Sequence, residues 1–285
     1  MRRSFATNAL QRRMPALALQ WCASHDNLFG VVPIIVYQMA KVGSTAVVVA
    51  LRSAGLPVFQ VHRMDAAHLA RMRKERRRLG WADQPVPAHD RLGIRLTRRV
   101  IARNARAAIV TLVRDPIARN LSSYFEHLDA IWRTTDAHER VSTEALIRGF
   151  HERFPHQEPL TWFDDEMLPV TGIDVYQHPF PAEGHAVLAR GNVGLLVLKS
   201  ELPDAVKVNV LGDFLGVPSL SIAPVNRTEN KAKGSAYKRF LQALRLDRDY
   251  VETMLESRYA RHFYTSAERD QFREKYLTRA PQSHT

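Results

Sequence analysis

The residues with most to offer chemically are Lys41-Val42-Gly43-Ser44-Thr45-Ala46, a small and polar run directly after an apolar stretch. A loop of this kind that opens a helix turns several backbone N–H groups and the positive helix end toward an anion. Lys41 adds a full charge, Ser44 and Thr45 add hydroxyl donors, and Gly43 lets the backbone come close. A Walker-type loop reads GxxxxGK[ST], with its lysine directly before the magnesium-binding hydroxyl. Here the lysine precedes the glycine and the first glycine is missing. The loop is therefore of a phosphate-binding type other than the usual ATP-magnesium one. The plain alternative is a strand-to-helix turn with an incidental lysine.

A second constellation follows another apolar stretch. Arg114 ends it, and Ser122 stands eight residues on, with Arg119 and Ser123 nearby. An arginine fork and a serine hydroxyl so spaced can grip one more phosphate. Two structural readings compete: an Arg114–Asp115 ion pair at a strand end, or Asp115 as a Walker B-like carboxylate. Asp164, Asp165 and Glu166 in WFDDEM could bind a metal or receive a hydroxyl proton. Adjacent carboxylates more often open a helix, where they suit its dipole, and that is the expectation here. The run Arg71 to Gly80, RMRKERRRLG, reads as a solvated helix face that beside a sugar site would also attract an acidic chain.

These residues need a scaffold. Val31 to Gln38 is a near-continuous apolar run, as in a strand buried on both faces. AVVVALRSAG then reads as a helix stopped by Gly55, Pro57 to His62 as a second strand, and Asp65 as the cap of a helix closed by Gly80. After the Pro-rich residues 81–91 comes a basic helix, roughly Leu92 to Ala105. Ala107 to Val113 is a strand, and Pro116 is placed as the first residue of the next helix. Residues 130–185 are mostly helical, Val193 to Lys199 is a strand, and a helix closed by Gly216 follows. Strands alternating with helices predict an α/β fold with a mostly parallel sheet. The expected organisation is a basic extension over 1–28 and one α/β domain with a helical insertion over 29–285.

Composition narrows the classes. The chain has 285 residues, 41 Lys and Arg against 29 Asp and Glu, a formal charge of +12, and 45% hydrophobic residues. That excludes a disordered or collagen-like chain. The excess positive charge calls for polyanionic company. A single cysteine, Cys22, forbids an internal disulfide framework and suits a reducing compartment, so the expected location is cytoplasmic. No run reaches the ~18–20 apolar residues of a membrane span. The basic N-terminal residues read as a solvated extension, with peripheral contact to an anionic membrane as the alternative.

Taken together, the motifs resemble the sulfotransferase family, whose P-loop-like fold binds 3′-phosphoadenylyl sulfate. AKVGSTAV (Ala40 to Val47) matches its 5′-phosphosulfate loop, and RDPIARNLSSYF (Arg114 to Phe125) its 3′-phosphate motif. GLLVLKSELPDAVKVNVLGDFLGV and NRTENKAKGSAYKRF resemble its later strand-helix segment and its basic C-terminal loop. The resemblance covers about residues 30–245. It is closest to bacterial sulfotransferase-like capsular polysaccharide synthesis proteins, in which WFDxE and GIDVY segments also occur.

The resemblance implies 3′-phosphoadenylyl sulfate as donor and 3′,5′-ADP as product. Lys41, Val42, Gly43, Ser44, Thr45 and Ala46 would hold the 5′-phosphosulfate. Arg114 and Ser122 would hold the 3′-phosphate, and Arg227 with Lys231 or Lys233 would cover the nucleotide. Lys41 neutralising the leaving oxygen would make a metal unnecessary. The acceptor is a hydroxyl, expected on a carbohydrate or capsular polysaccharide rather than nucleic acid, and it needs a base. His62, ending the strand beside the first, is the candidate, with Glu126, His127 and His68 behind it. Two rivals stand: a kinase using ATP and magnesium on the same fold, and a catalytically silent polysaccharide-assembly protein.

Overall fold

A computed structural model describes residues 32–217, 220–222 and 231–278, the side chains of Lys231 and Ala232 excepted. The chain divides into two compact units. The first comprises Val86–Arg114, Trp162–Val225 and the described part of Met1–Leu69; the second comprises Ala70–Pro85, Asp115–Thr161 and the described part of Asn226–Thr285.

The first unit is an α/β layer with a five-stranded sheet. In chain order its elements are β1 (Ile34–Tyr37), α1 (Thr45–Ser53), β2 (Val58–Val61), the start of α2 (Ala66–Arg78), α3 (Ala88–Leu96), β3 (Ala107–Val113) and, after α4 (Pro116–Glu126) and α5 (Thr143–Arg153) of the second unit, β4 (His185–Arg190), β5 (Val193–Lys199) and α6 (Asp204–Leu215). The sheet order is β2-β1-β3-β5-β4, with all pairs parallel except β4 with β5. Every residue of β1, β3 and β5 is buried, which is why these strands read as unbroken apolar runs. The expected βαβ pairing of the first two strands holds, with Ile34 opposite Val58 and Tyr37 opposite Val61.

The order carries a functional consequence. From β1 the chain crosses to β2 on one side, while from β3 it moves to β5 on the other. The strand order therefore reverses between β1 and β3, and ligands of open parallel sheets bind at the carboxyl ends of strands flanking such a point.

Two elements depart from expectation. The basic helix starts at Ala88, not near Leu92, because Pro87 has the fixed extended geometry of a cap residue and its carbonyl accepts from Asp90 and Arg91 N–H at 3.1 Å each. It then widens into a π-turn over Thr97–Ile101. Strand β4 begins where the stretch read as mostly helical ends, in residues to which the sequence assigns no element. It is an edge strand with only partly covered residues, so it lacks the apolar signature of its neighbours.

The second unit is helical. Its described elements include α4 (Pro116–Glu126), α5 (Thr143–Arg153), α7 (Lys231–Ala243), α8 (Arg248–Leu255), α9 (Arg258–Phe263) and α10 (Ser266–Leu277). Tyr124 packs edge-on to Phe150 at 5.4 Å and to Phe154 at 5.8 Å, with Phe240 tilted against it at 5.8 Å. Its hydroxyl donates to Leu146 O at 2.7 Å, and burial pushes its pKa up to about 12. Around these rings the buried polar groups are paired. His156 donates from Nε2 to Phe150 O at 2.7 Å, and its Nδ1 faces Tyr250 Oη at 3.1 Å.

Candidate functional site

The loop between β1 and α1 has an unusual backbone. Lys41 sits at φ 71° and Gly43 at φ 83°, so two of three consecutive residues are left-handed. Glycine takes that conformation freely; a lysine there costs about 1–2 kcal/mol, a cost retained mainly where geometry serves a purpose. The turn feeds directly into α1, whose first N–H groups have no partner within the helix. Ser44 is buried and its Oγ accepts from Gln60 Nε2 at 3.1 Å, while Thr45 is exposed and Ala46 partly so. Val42 is fully buried and anchors the loop.

Across the reversal point, Arg114 Nη1 donates to Lys41 O at 2.8 Å. Lys41 and Arg114, 73 residues apart in sequence, thus meet at one place, the carboxyl ends of β1 and β3.

In parallel strands, residues in register share a face. Val36 pairs with Gln60, so Gln38 and His62, two residues on, belong to that same face, the one Ser44 meets. His62 Nδ1 lies 3.0 Å from Gln38 O. A carbonyl only accepts, so Nδ1 carries a proton in this contact. The imidazole is packed edge-on against His89 of α3, ring centroids 4.7 Å apart. Gly93 makes that approach possible, because a methyl there would stand 1.9 Å from Arg63 O.

One residue of this face was missed by sequence reasoning. Gln38 is 0% exposed, and neither amide atom has a hydrogen-bond partner among the described residues. A buried amide left unpaired costs about 1–3 kcal/mol. Nothing local marks it: a glutamine ending an apolar run reads as the strand reaching solvent.

The remaining candidates fall elsewhere. Ser122 is partly exposed on α4 and belongs to the second unit, as do exposed Glu126 and half-buried His127. His127 Nδ1 donates to Ser123 O at 2.8 Å, and burial together with the Arg76 charge pushes its pKa down to about 4, too weak for an efficient base near neutral pH. Asp115 stands as the cap residue of α4. Its Oδ1 caps α4, accepting from Ile117 and Ala118 N–H at 2.9 and 3.3 Å, and its Oδ2 accepts from Tyr276 and Lys275. Arg227 lies outside the described residues, as does the side chain of Lys231; Lys233 is partly exposed on α7. The N-terminal extension and Cys22 also lie outside them.

WFDDEM does not open a helix. Glu158–Trp162 already forms a helical turn, and Phe163–Met167 continues it as a π-turn. Glu166 is 0% exposed and accepts four donors: Tyr37 O–H, Met64 N–H at 2.8 Å, Asp65 N–H at 3.1 Å and His68 Nδ1 at 2.7 Å. Burial of the Tyr37 hydroxyl and the neighbouring Glu166 charge hold its pKa well above the ordinary tyrosine range. Glu166 therefore ties β1 to the start of α2, and His68 is committed to that ion pair.

Among the described residues, no helix is long and apolar enough to cross a membrane. No curated protein and no solved structure matches the chain. One family model does, over residues 141–265: NKWYS, described as "Putative capsular polysaccharide synthesis protein". Over that stretch, which contains Glu166, β4 and β5, the chain is similar to capsular polysaccharide synthesis proteins.

Proposed function

We propose that this protein is a sulfotransferase that moves a sulfuryl group from 3′-phosphoadenylyl sulfate to a hydroxyl of a carbohydrate, with a capsular polysaccharide as the acceptor class. The observation that carries the reading is the Arg114–Lys41 hydrogen bond at the reversal point of the sheet, which joins a phosphate-type loop to an arginine fork. The residues present fit such a donor: a lysine, a glycine and a helix N-terminus for one anionic end, and a guanidinium for another. The family description supplies the polysaccharide.

The donor contributes the sulfuryl group and an anionic leaving group. Everything else falls to this chain. Lys41 and the first-turn N–H groups of α1 stabilise charge on the leaving oxygen, the electrostatic share of the work. His62 takes the acceptor hydroxyl proton on Nε2, while Gln38 O holds the ring through Nδ1. The unpaired Gln38 amide offers one donor and one acceptor on the same face, suited to orienting a hydroxyl.

The test is transfer of label from ³⁵S-labelled donor to capsular polysaccharide, by wild type and His62→Ala. Labelled glycan is expected from wild type, falling about a hundredfold in the variant. Equal labelling by both would remove His62 from the role. Phosphate transfer from ATP, with no labelled glycan from the sulfate donor, would contradict the reading itself.

A further inference from the structure

Of the chain's basic stretches, two are dense enough to attract a polyanion, and the structure separates them. In Arg71 to Arg78 the cations stand among exposed acids of their own: Arg73 and Arg77 lie 2.8 and 3.7 Å from Asp83 and Arg78 2.7 Å from Glu75, while Arg76 covers the Trp81 ring at 4.8 Å. All four belong to the second unit.

The other stretch is α3 with its π-turn, in the first unit. Residues 88–106 hold six arginines and one acid, Asp90, which is buried. Burial splits the helix cleanly. Asp90, Gly93, Leu96 and Val100 face inward, and Arg91, Arg95, Arg98 and Arg99 are exposed on the opposite side. Their spacing of four, seven and eight residues puts them on one stripe, about 12 Å long at 1.5 Å per residue. The stripe begins next to His89, whose ring touches His62. Gly93 fixes that end, since the helix packs directly on Arg63 O.

We propose that the arginine stripe Arg91-Arg95-Arg98-Arg99 is the binding surface for an acidic polysaccharide chain, one that carries carboxylate or sulfate groups and is led along α3 to His62. The inference rests on the sulfotransferase reading of the His62 site and adds the acceptor's charge to it. Guanidinium groups recognise carboxylate and sulfate through paired N–H bonds, and a row of them acts on repeating charges rather than on a single one. A nucleic acid would call for aromatic residues to stack its bases, and this face has none. An anionic membrane would call for large apolar side chains beside the cations, and no exposed one accompanies the stripe.

The experiment uses the full chain and three variants: Arg91→Gln/Arg95→Gln/Arg98→Gln/Arg99→Gln, a control Arg73→Gln/Arg77→Gln/Arg78→Gln, and Arg98→Gln alone in case the fourfold variant folds poorly. Each is titrated with polygalacturonate, neutral dextran, phosphatidylglycerol vesicles and 3′,5′-ADP. The expected result is polygalacturonate binding that weakens at least about tenfold in the fourfold variant and loses its salt dependence, with the control unchanged. The single variant should fall between wild type and fourfold variant, and 3′,5′-ADP affinity should not change. Equal polygalacturonate binding by wild type and the fourfold variant would overturn the proposal. So would a stripe-dependent preference for vesicles, or for dextran as strongly as for polygalacturonate. Absence of 3′,5′-ADP binding in wild type, with stripe-dependent glycan binding intact, would instead fail the donor reading and leave the surface standing.

Discussion

Two regions, one in each unit, treat their buried polar groups differently. In the second, the groups around the aromatic core are paired: Tyr124 with Leu146 O, His156 with Phe150 O, and Asp115 through both carboxylate oxygens. In the first, one buried cluster around Glu166 is equally well satisfied, but the carboxyl end of the sheet is not. Gln38 is buried with an unpaired amide, and Lys41 is held in a left-handed turn. Costs of this kind accumulate where a ligand completes the structure. The contrast teaches that the surroundings of the Tyr124 ring are built for stability, while the carboxyl end of the first unit's sheet carries unmet polar chemistry.

The largest effect that would break this contrast concerns the aromatic core. Phe150→Ala should cost about 3–5 kcal/mol of unfolding free energy while leaving 3′,5′-ADP affinity unchanged below the melting transition. Denaturant unfolding and calorimetry read the two quantities separately; a lost affinity in the folded variant would make the core part of the site.

Acid is the next lever. His127 and His156 both have pKa values pushed down to about 4, chiefly by burial, against an unfolded value of about 6.5. Below pH 6.5 the unfolded chain takes up protons that the folded histidines refuse. Stability should therefore fall as pH drops from 6.5 to 4, by up to roughly 3 kcal/mol for each histidine, and these two should contribute no further change below pH 4. Urea titrations of wild type and His127→Gln/His156→Gln across that window test it: the variant should show the shallower slope.

Lys41→Gly sharpens the comparison from the other side. Removing a side chain from a left-handed position should stabilise the fold by about 1 kcal/mol, while loss of the ammonium should weaken 3′,5′-ADP binding by about 1.5–3 kcal/mol. A lysine serving only as a turn residue would give the first result without the second.

The smallest effect is expected for Gln38→Met. Replacing a buried unpaired amide by an apolar chain of similar length should raise stability by about 1 kcal/mol and lower transfer to the acceptor. Destabilisation would mean that the amide has a partner in the folded protein.

Much of this was legible in the chain itself, for a physical reason. Strands buried on both faces must be apolar throughout, so β1, β3 and β5 announced themselves, and with them the loops at their carboxyl ends. The edge strand β4 has no such constraint and went unseen. Glu166 was misread because its four donors lie about a hundred residues away, and nothing in Trp162 to Met167 distinguishes a buried carboxylate from a helix-opening one. His62 was singled out by its place beside the first strand, which the pairing of β1 with β2 bears out. The Gln38 carbonyl that its Nδ1 faces, and the unpaired amide of the same residue, emerged only from the pairing of β1 with β2.

The central claim is that the carboxyl end of this sheet reads a nucleotide with a 3′-phosphate through Lys41 and Arg114. Calorimetric titration of the wild-type protein with 3′,5′-ADP, beside 5′-AMP and ATP with magnesium, tests it most directly, with Arg114→Ala as the paired variant. The account predicts that 3′,5′-ADP binds tightest and that Arg114→Ala lowers its affinity toward that of 5′-AMP. Preference for ATP with magnesium, or 3′,5′-ADP binding indifferent to Arg114, would contradict it.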